Sequence, residues 1–342
     1  MINEKQHDNN FNLLRLIGAC CVIFSHSFYI TGNDAIEPIN AITHGAIEAS
    51  AIGLVIFFFI SGYFVTKSAH LSRSIQNFIK KRVFRIYPAL IVCVLLSVFV
   101  VGALFTELST ATYFTNLETY KYLLTASAIV VKMELPGVFQ NTAFYQHAFN
   151  SSLWTISLEI KLYLSLGLII IVTSMAGRKK IFKFIPPIIF ITSALLLLFY
   201  KNFDYTWQRN MNLITVFYFG SFVYALSLSK RTMVYILLSS IALYFATIPL
   251  KGTVNNEVFL WIMISAITYL IGTFSKIKIN LETDISYGLY IYAFPIQQTV
   301  FFLLGYNTNV LLNLFLSFGI TALVALLSWK YVEKPFIQLK NK

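Results

Sequence analysis

Ten apolar stretches, each long enough to cross a membrane as a helix, constrain the fold of this chain most. A helix of about 20 residues spans the hydrocarbon core of a bilayer, and each stretch has few interior charges. The stretches lie near residues 12–31, 46–67, 85–106, 152–174, 182–200, 211–229, 232–250, 257–274, 284–305 and 309–331. The sequence therefore predicts an all-α fold, a polytopic membrane helix bundle of about ten transmembrane helices.

The composition excludes an ordinary soluble protein. Apolar residues make up 57% of the 342 residues, with 32 Phe and 20 Tyr, and the mean hydropathy is +0.71; soluble domains are less apolar. The first stretch follows a mixed-charge segment and is not followed by a small-x-small cleavage site, so we expect it to stay in the mature chain. We expect residues 1–342 to form a single integral-membrane domain with no fused soluble domain.

The distribution of basic residues predicts which segments face the cytoplasm. With ten spans and a cytoplasmic amino terminus, 20 of the 26 Lys and Arg residues fall in cytoplasmic segments and five in external ones. Positive charge is favoured on the cytoplasmic side, so we predict that both termini are cytoplasmic. This topology explains the net charge of +12, and we predict no nucleic-acid partner.

The apolar segment 120–133, YKYLLTASAIVVKM, has only ten uncharged residues between Lys121 and Lys132. Ten residues are too few to cross a bilayer, and a crossing there would put the basic residues 178–180 outside. We predict that it is an interfacial or re-entrant segment in a long external loop.

The three cysteines, Cys20, Cys21 and Cys93, all fall within predicted spans and lack metal-ligand spacing. An oxidising aqueous phase does not reach such positions. We therefore expect packing roles for them, with no metal site and no permanently bound cofactor.

The first span contains a histidine, His26, eleven residues after Arg15. Eleven helical residues turn through about 1100° and rise about 16 Å, so the two side chains share one face. An ionisable residue inside a span is costly and is a functional candidate, although a neutral imidazole can also serve as a hydrogen-bonding contact between helices. Arg15 at the helix end can simply reach the lipid headgroups.

Two arginines, Arg82 and Arg85, stand three residues apart in KKRVFRIYP. This spacing puts them on one helical face, and guanidinium groups suit bidentate binding of phosphates. The same residues are also typical of a positive-inside flank that binds anionic lipid. The sequence leaves both interpretations open.

A third polar group lies in SSLWTISLEIKLY, residues 151–163. Trp154 is typical of the aromatic belt at the outer interface. Glu159 lies deeper, and a local ion pair with Lys161 is disfavoured because residues two apart point to different faces. A carboxylate there can orient an imidazole or accept a proton.

Two aromatic motifs complete the set of candidates. In FFFISGYF, residues 57–64, Ser61 and Gly62 are small enough for close helix packing. In ISYGLYIYAFP, residues 285–295, Tyr287, Tyr290 and Tyr292 are either interfacial packing residues or part of a sugar-facing surface.

These motifs, in this order, resemble the integral-membrane acyltransferase-three family, whose members O-acylate bacterial cell-surface polysaccharides. The resemblance rests on Arg15 and His26 with ten residues between them, on RVFRIYP, IFFFISGYF, LWTISLE and SYGLYIYAFP, and on YVEKPF at 331–336. LWTISLE and YGLYIYAFPIQQ most resemble the stand-alone O-acetyltransferase branch, which acts on O-antigen or exopolysaccharide. The resemblance implies a multi-pass enzyme of the bacterial inner membrane.

The resemblance also implies roles for the candidate residues. Acetyl-CoA is the cytosolic donor substrate, and the other partners are a surface polysaccharide or its lipid-linked precursor and membrane lipid. Arg15, Arg82 and Arg85 would hold the CoA phosphates. His26 would act as general base or as nucleophile. The remaining assignments are catalytic roles for Glu159 and Glu48 and substrate binding by Trp154, Ser61, Tyr287 and Tyr290.

The chain departs from the family pattern at two positions. Many relatives have an aspartate in a Gly-Val-Asp triplet where this chain has Val55, and Glu48, about two turns away, is the nearest acid upstream. Many relatives also have a histidine where this chain has Ala293. The resemblance therefore raises the question of whether Glu48 replaces the aspartate.

Two other classes of protein would also bury polar residues in a helix bundle. One is a proton-coupled transporter or a flippase of a lipid-linked saccharide, which would not need paired arginines for an acyl-CoA. The other is a non-catalytic component of a polysaccharide export complex. Neither would change the acetyl content of the polysaccharide, so product analysis separates them from an acyltransferase.

Overall fold

The computed structural model describes residues 9–72, 74–140, 148–175, 179–199, 204–250, 256–279, 281 and 283–339. Within these ranges the chain is helical and contains no β-strand; Thr106 and Val138 form one isolated antiparallel bridge. The predicted all-α fold is confirmed for the part of the chain that the structure describes.

Fifteen α-helices follow one another along the described residues. They are α1 Phe11–Ile30, α2 Pro38–Ile42, α3 Ala49–Leu71, α4 Ile75–Leu96, α5 Ala103–Phe105, α6 Thr110–Thr115, α7 Leu117–Lys121, α8 Trp154–Met175, α9 Ile185–Phe199, α10 Tyr205–Ala225, α11 Lys230–Thr247, α12 Glu257–Phe274, α13 Ser286–Leu303, α14 Val310–Ser328 and α15 Lys334–Leu339. Short π-helical segments, Ser97–Gly102 and Trp329–Glu333, extend α4 and α14.

Each of the ten predicted spans coincides with a long helix. Seven helical segments among the described residues are long and apolar enough to cross a membrane, judged by length and composition. They are Phe11–Ile30, Ala49–Leu71, Ile75–Phe105, Ser151–Thr173, Ile181–Phe199, Glu257–Phe274 and Val310–Leu339. The other three predicted spans correspond to α10, α11 and α13.

The segment 120–133 contains no membrane-length helix, as predicted. It consists of the end of α7, a 3₁₀ segment Tyr122–Ser127 and irregular chain. Several apolar side chains of this segment are exposed, among them Leu124 and Ile129. Part of the apolar surface of this segment is therefore not covered by other protein groups.

The chain forms two compact units. Unit 1 contains the described residues within Met1–Ile17, Leu54–Phe78 and Leu162–Glu282. Unit 2 contains those within Gly18–Gly53, Ile79–Lys161 and Thr283–Lys342. Several long helices, including α1 and α3, therefore contribute residues to both units.

In unit 1, α3 and α10 approach each other through glycines. A Cβ at Gly62 would overlap the carbonyl oxygen of Phe217, and a Cβ at Gly220 would overlap that of Phe59. The Thr66 hydroxyl donates to Ser221 Oγ at 2.8 Å in the same contact. The prediction that the small residues after Ile60 permit close helix packing is confirmed.

In unit 2, α13 is an interior helix. Thirteen of its 18 residues are buried, and Gly288 packs where an added Cβ would lie 3.0 Å from the Ala325 backbone of α14. Asn150 donates to the Ile291 carbonyl of α13 at 2.9 Å. The polar side chains that lower the hydropathy of α13 thus lie inside unit 2, where protein groups surround them.

The three cysteines are free thiols in the structure. Cys93 is buried, and Cys20 and Cys21 are partly buried. Cys93 Sγ donates to the Ile291 carbonyl at 3.4 Å, so it contributes to the contact between α4 and α13. This placement agrees with the predicted packing role.

Candidate active site

His26 lies on α1 where this helix contacts α13 within unit 2. The imidazole ring meets the Phe294 ring edge to face, with centroids 5.1 Å apart. The flanking residues Ser25 and Ser27 are fully buried, whereas His26 itself is partly exposed. Because α1 is continuous from Phe11 to Ile30, Arg15 and His26 share one helical face, as the sequence predicted.

Gln297 of α13 holds the turn of α1 that carries His26. Its Nε2 donates to the Ile23 carbonyl at 2.8 Å and to Ser27 Oγ at 2.7 Å. Asn313 of α14 donates in turn to the Gln297 carbonyl at 3.1 Å. Gln297 and Asn313 are fully buried, so this stretch of α1 is held by amide groups inside unit 2.

Glu37 makes a second set of hydrogen bonds next to His26, to Ser25 and to the segments that follow α1. Glu37 Oε1 accepts hydrogen bonds from Ser25 Oγ at 3.2 Å and from the Ala49 N–H at 3.1 Å. Glu37 Oε2 accepts from the Asn40 N–H at 2.5 Å, which caps α2. The carboxylate is fully buried. One side chain therefore joins α1, α2 and the start of α3.

Glu48, the other acid near this end of α1, directly precedes α3. It is partly buried, and no described residue hydrogen-bonds to its Oε2. Its carbonyl accepts from Ala51 N at 3.1 Å at the start of the helix. A catalytic role for Glu48 stays a prediction.

Arg85 is part of a cluster of charged side chains within unit 2. Its Nη2 donates to Asp284 Oδ2 at 2.6 Å, and its Nη1 lies 3.9 Å from Glu333 Oε2. Their side chains are 26%, 11% and 1% exposed. The Arg85 guanidinium therefore already has two acidic partners, which reduces its capacity to bind a phosphate.

The surroundings of this cluster fix both carboxylates. Ser286 Oγ donates to Asp284 Oδ1 at 2.6 Å, and Ser328 Oγ donates to Glu333 Oε1 at 3.1 Å. Glu333 belongs to the π-helical segment after α14 and to the YVEKPF motif. The cluster thus joins α4, the segment before α13 and the end of α14.

Arg82 lies one turn before Arg85 on α4 and is partly exposed. Lys80 nearby is exposed, with its Nζ 5.6 Å from the centroid of the Phe84 ring. Several basic side chains thus reach the surface along this turn of α4. Phosphate binding by Arg82 and by Arg85 stays a prediction.

The three tyrosines of α13 make hydrogen bonds to neighbouring segments. Tyr287 OH donates to the Ile86 carbonyl at 3.0 Å, and Tyr290 OH donates to the Ser152 carbonyl at 3.0 Å. Tyr292 OH donates to the Ala89 carbonyl at 3.3 Å. These bonds attach α13 to α4 and to the start of α8. The packing interpretation explains their positions, and sugar binding by Tyr287 and Tyr290 stays a prediction.

The remaining predicted site residues are divided between the units. Trp154 and Glu159 lie on α8 in unit 2, both partly buried. Ser61 and Arg15 belong to unit 1, where Ser61 Oγ lies 2.7 Å from Tyr163 OH and the Arg15 guanidinium lies 5.6 Å from the centroid of the Phe64 ring. Unit 2 therefore contains most of the candidate site: His26, Glu48, Arg82, Arg85, Trp154, Glu159, Tyr287 and Tyr290.

Comparison with known proteins identifies the family. The family described as "Acyltransferase domain" matches residues 8–330, nearly the whole chain. The chain belongs to this acyltransferase family. The predicted family and the prediction that the chain is an acyltransferase are thereby confirmed.

The chain is similar in sequence to two named bacterial or phage proteins. A protein named "O-acetyl transferase" from Shigella phage Sf6 is 31% identical over 339 residues, covering 96% of each chain. "Nodulation protein 10" from Rhizobium leguminosarum bv. viciae is 37% identical over 171 residues, covering 48% of this chain and 44% of its own. No solved structure matches.

The turn of α1 that carries His26 is fixed by hydrogen bonds from two sides of the sequence. The His26 ring lies at a helix contact held by Gln297, and Glu37 holds Ser25, the residue before it. No group of three His, Cys, Asp or Glu side chains that could hold a metal occurs among the described residues. Catalysis by the His26 imidazole, as base or as nucleophile, stays a prediction.

Sequence reasoning missed Gln297, Glu37, Asp284 and Glu333 as members of these networks. Gln297 could have been found by extending the search from ionisable residues to every polar side chain inside a predicted span. Glu37 carries a weaker signal, a possible helix cap before Pro38. The partners of Arg85 lie far away in the sequence, Asp284 by 199 positions, and no local pattern indicates them.

Proposed function

We propose that this acyltransferase is a membrane O-acetyltransferase that moves an acetyl group from cytosolic acetyl-CoA to a hydroxyl of an extracytoplasmic sugar. The sugar belongs to O-antigen or exopolysaccharide, as polymer or lipid-linked precursor. The observation that carries the proposal is the place of His26 in a member of the acyltransferase family, on a buried turn held by Gln297. The name of the phage relative supports acetyl as the group transferred.

The proposed topology has ten spans, with both termini in the cytoplasm of a bacterium and the chain in the inner membrane as one acyltransferase domain. Three helices, α10, α11 and α13, complete the seven that are apolar enough by composition. The interior position of α13 supports its assignment, because inward-facing polar side chains lower hydropathy without meeting lipid. The 20-to-5 distribution of basic residues supports the orientation.

The donor would approach from the cytoplasmic side. Arg82 binds the CoA phosphates, and the donor-binding role of Arg15 rests on the family resemblance. Arg85 keeps the cytoplasmic end of α4 in place through Asp284 and Glu333. His26 lies about 16 Å along α1 from Arg15, a distance that an extended pantetheine arm can span. The thioester carbonyl would then lie beside the imidazole.

His26 has two possible roles in the chemical step, which share one product. As general base it takes the proton of the sugar hydroxyl; the oxygen bonds to the thioester carbonyl carbon, the carbon–sulfur bond breaks, and the leaving CoA thiolate takes the proton from the imidazolium. As nucleophile its unprotonated nitrogen bonds to the carbonyl carbon while the carbon–sulfur bond breaks and CoA leaves as the thiolate. The sugar oxygen then bonds to the same carbon, the carbon–nitrogen bond breaks to free the imidazole, and the hydroxyl proton goes to the thiolate. Glu159 or Glu48 would orient or charge-stabilise the imidazole.

Mass spectrometry of the surface polysaccharide tests the function. Strains with and without the gene are compared, and loss of one acetyl mass per modified sugar in the deletion strain is expected. A complementing chain with the substitution His70→Gln, at an exposed histidine of α3, serves as the control and should restore the acetyl mass. An unchanged polysaccharide mass in the deletion strain would favour the transporter or export-component alternatives.

A further inference from the structure

A polar cavity lies outside the site described so far, in the chain between α6 and α8. Its volume is about 460 Å³, within the range of small-molecule sites. Its lining belongs entirely to unit 2 and includes Asn116, Glu118, Lys132, Glu134, Gly137 and Gln140. None of the predicted catalytic or donor-binding residues lines it.

The walls of the cavity are held by hydrogen bonds. Thr106 Oγ1 donates to the Pro136 carbonyl at 2.8 Å, and Glu107 N donates to the Gly137 carbonyl at 2.9 Å. Phe149 N donates to the Met133 carbonyl at 2.6 Å. These bonds fix the strip 133–137 on both sides. The cavity is therefore preformed rather than a gap between loose loops.

Buried aromatic side chains pack together within the segment that forms the cavity. The rings of Phe139 and Phe149 stack with centroids 5.7 Å apart, and Tyr113 and Tyr122 are fully buried. Since these large side chains make up the core of the segment, the polar side chains of the cavity lie on a packed base.

The cavity offers hydrogen-bond donors and acceptors with little net charge. Carboxylates accept and the ammonium of Lys132 donates. The Asn116 amide offers its Nδ2 as a donor, since its Oδ1 already accepts from the Glu118 N–H at 3.0 Å. Lys121 Nζ lies 2.6 Å from Glu118 Oε1; this hydrogen bond lowers the pKa of Glu118, which is therefore ionised at neutral pH. The negative charges of Glu118 and Glu134 are thus balanced by the positive charges of Lys121 and Lys132. The absence of a net positive charge disfavours a strongly anionic ligand. A ligand rich in hydroxyl groups fits this chemistry.

The cavity scaffold is attached to the helix that contacts His26. Gln298 Nε2 donates to the Ala148 carbonyl at 2.9 Å, and Asn150 Nδ2 donates to the Ile291 carbonyl at 2.9 Å. Gln298 and Ile291 lie on α13, which also carries Gln297. The segment that forms the cavity is thus hydrogen-bonded to α13, and α13 is hydrogen-bonded to the turn of α1 that carries His26.

We infer that this cavity binds an uncharged sugar unit of the acceptor saccharide, next to the unit that receives the acetyl group. The inference rests on the proposed function for the identity of the acceptor. The saccharide has two possible sources, a free polymer and a lipid-linked precursor, which share the hydroxyl chemistry that the cavity recognises. Exposed apolar side chains on the same segment, such as Leu117 and Leu124, suit a location at the membrane surface.

Steady-state kinetics of the full chain in proteoliposomes test this inference. The probe is the surface oligosaccharide of the host strain after mild alkaline removal of O-acetyl esters, offered free in one arm and lipid-linked in the other. Glu134→Gln removes one charged acceptor and is expected to raise the KM for the saccharide about tenfold, with the KM for acetyl-CoA unchanged. The arm with the larger effect identifies the source.

A matched control and a binding measurement make the outcome decisive. Glu107→Gln changes an exposed carboxyl of the same segment that does not line the cavity, and it should leave both KM values unchanged. The Kd of the oligosaccharide, measured by equilibrium dialysis with a labelled sample, should rise about tenfold in Glu134→Gln. Transfer with unchanged KM and Kd in Glu134→Gln overturns the cavity assignment alone. Binding that depends on Glu134 without any acetyl transfer by the parent chain overturns the proposed function alone.

Discussion

Among single residues, His26 needs an imidazole held in a fixed position for either of its proposed roles. The Gln297 amide donates to Ile23 and Ser27, which lie on either side of His26 along α1. A hydrogen bond between uncharged groups contributes about 0.5–1.5 kcal/mol net. Loss of both bonds frees the helix turn to shift, which matters more for catalysis than for folding.

Gln297→Leu tests this positioning role. The variant should retain expression but lower kcat by about tenfold or more, with the KM for acetyl-CoA unchanged, because the donor site is left intact. Thr299→Val is the matched control, since the Thr299 hydroxyl donates to the Pro295 carbonyl of its own helix. A rise in the KM for acetyl-CoA with unaltered kcat would assign Gln297 to binding instead.

The two arginines of α4 should respond differently to substitution. Arg82→Lys keeps the charge but removes the bidentate fork, so the KM for acetyl-CoA should rise severalfold. Arg85→Met should chiefly lower the free energy of unfolding in detergent, by about 3 kcal/mol, because it leaves Asp284 and Glu333 without this cation. The second change Glu333→Gln should restore part of that stability. An equal rise in the KM for acetyl-CoA in Arg82→Lys and Arg85→Met would mean that Arg85 also binds the donor.

These residues also show how far local sequence can lead. His26 and Arg82 could be selected as candidates from the sequence, because an ionisable group stands out in or beside an apolar stretch. The hydroxyls of Tyr287 and Tyr290 were not, since whether a tyrosine faces a ligand or a backbone carbonyl depends on which helices become neighbours. The same is true of Arg85, whose charge fits a phosphate and a carboxylate equally well.

At the scale of elements, the end of α1 near His26 is joined to its neighbours by one carboxylate. Glu37 accepts hydrogen bonds from Ser25, Asn40 and Ala49. In Glu37→Gln one of the two acceptor oxygens becomes a donor, which would face a backbone N–H group. A buried group left unsatisfied costs about 1–3 kcal/mol.

Limited proteolysis measures this effect. Glu37→Gln should increase cleavage within residues 31–48 severalfold, and acyl transfer should fall in parallel. Glu48→Gln is the control, because no described residue hydrogen-bonds to Glu48 Oε2, and it should leave the cleavage rate unchanged. Equal protease resistance of both variants would mean that Glu37 does not hold this end of α1.

Most helices were predictable at this scale, and their contacts were not. A continuous apolar stretch of about 20 residues determines a helix by length alone, and the predicted stretches coincide with long helices in the structure. The interior position of α13 follows instead from the pairing of Tyr290 with Ser152 and of Asn150 with Ile291. Such contacts depend on tertiary arrangement, which the hydropathy pattern does not encode.

At the scale of the whole molecule, the proposed topology has ten spans. Reporter fusions should place the loops near 75, 180, 231 and 279 in the cytoplasm and those near 38, 130, 205 and 253 outside. The reporter near 130 is the most informative, because the segment 120–133 contains no membrane-length helix. With the spans of α8 and α9 between them, the loops near 130 and 205 should both be external. An external signal near 180 would contradict the ten-helix topology.

Replacement of His26 by glutamine separates catalysis by the imidazole from a purely structural role. Glutamine can replace a structural hydrogen bond of histidine, but it cannot serve as a base or nucleophile near neutral pH. His26→Gln is therefore compared with His70→Gln, a change of an exposed histidine on α3, at equal expression and in the same proteoliposome assay. We expect His26→Gln to abolish O-acetylation of the saccharide and His70→Gln to retain it. Retained O-acetylation in well-folded His26→Gln would contradict the account and move the catalytic assignment to Glu159 or Glu48.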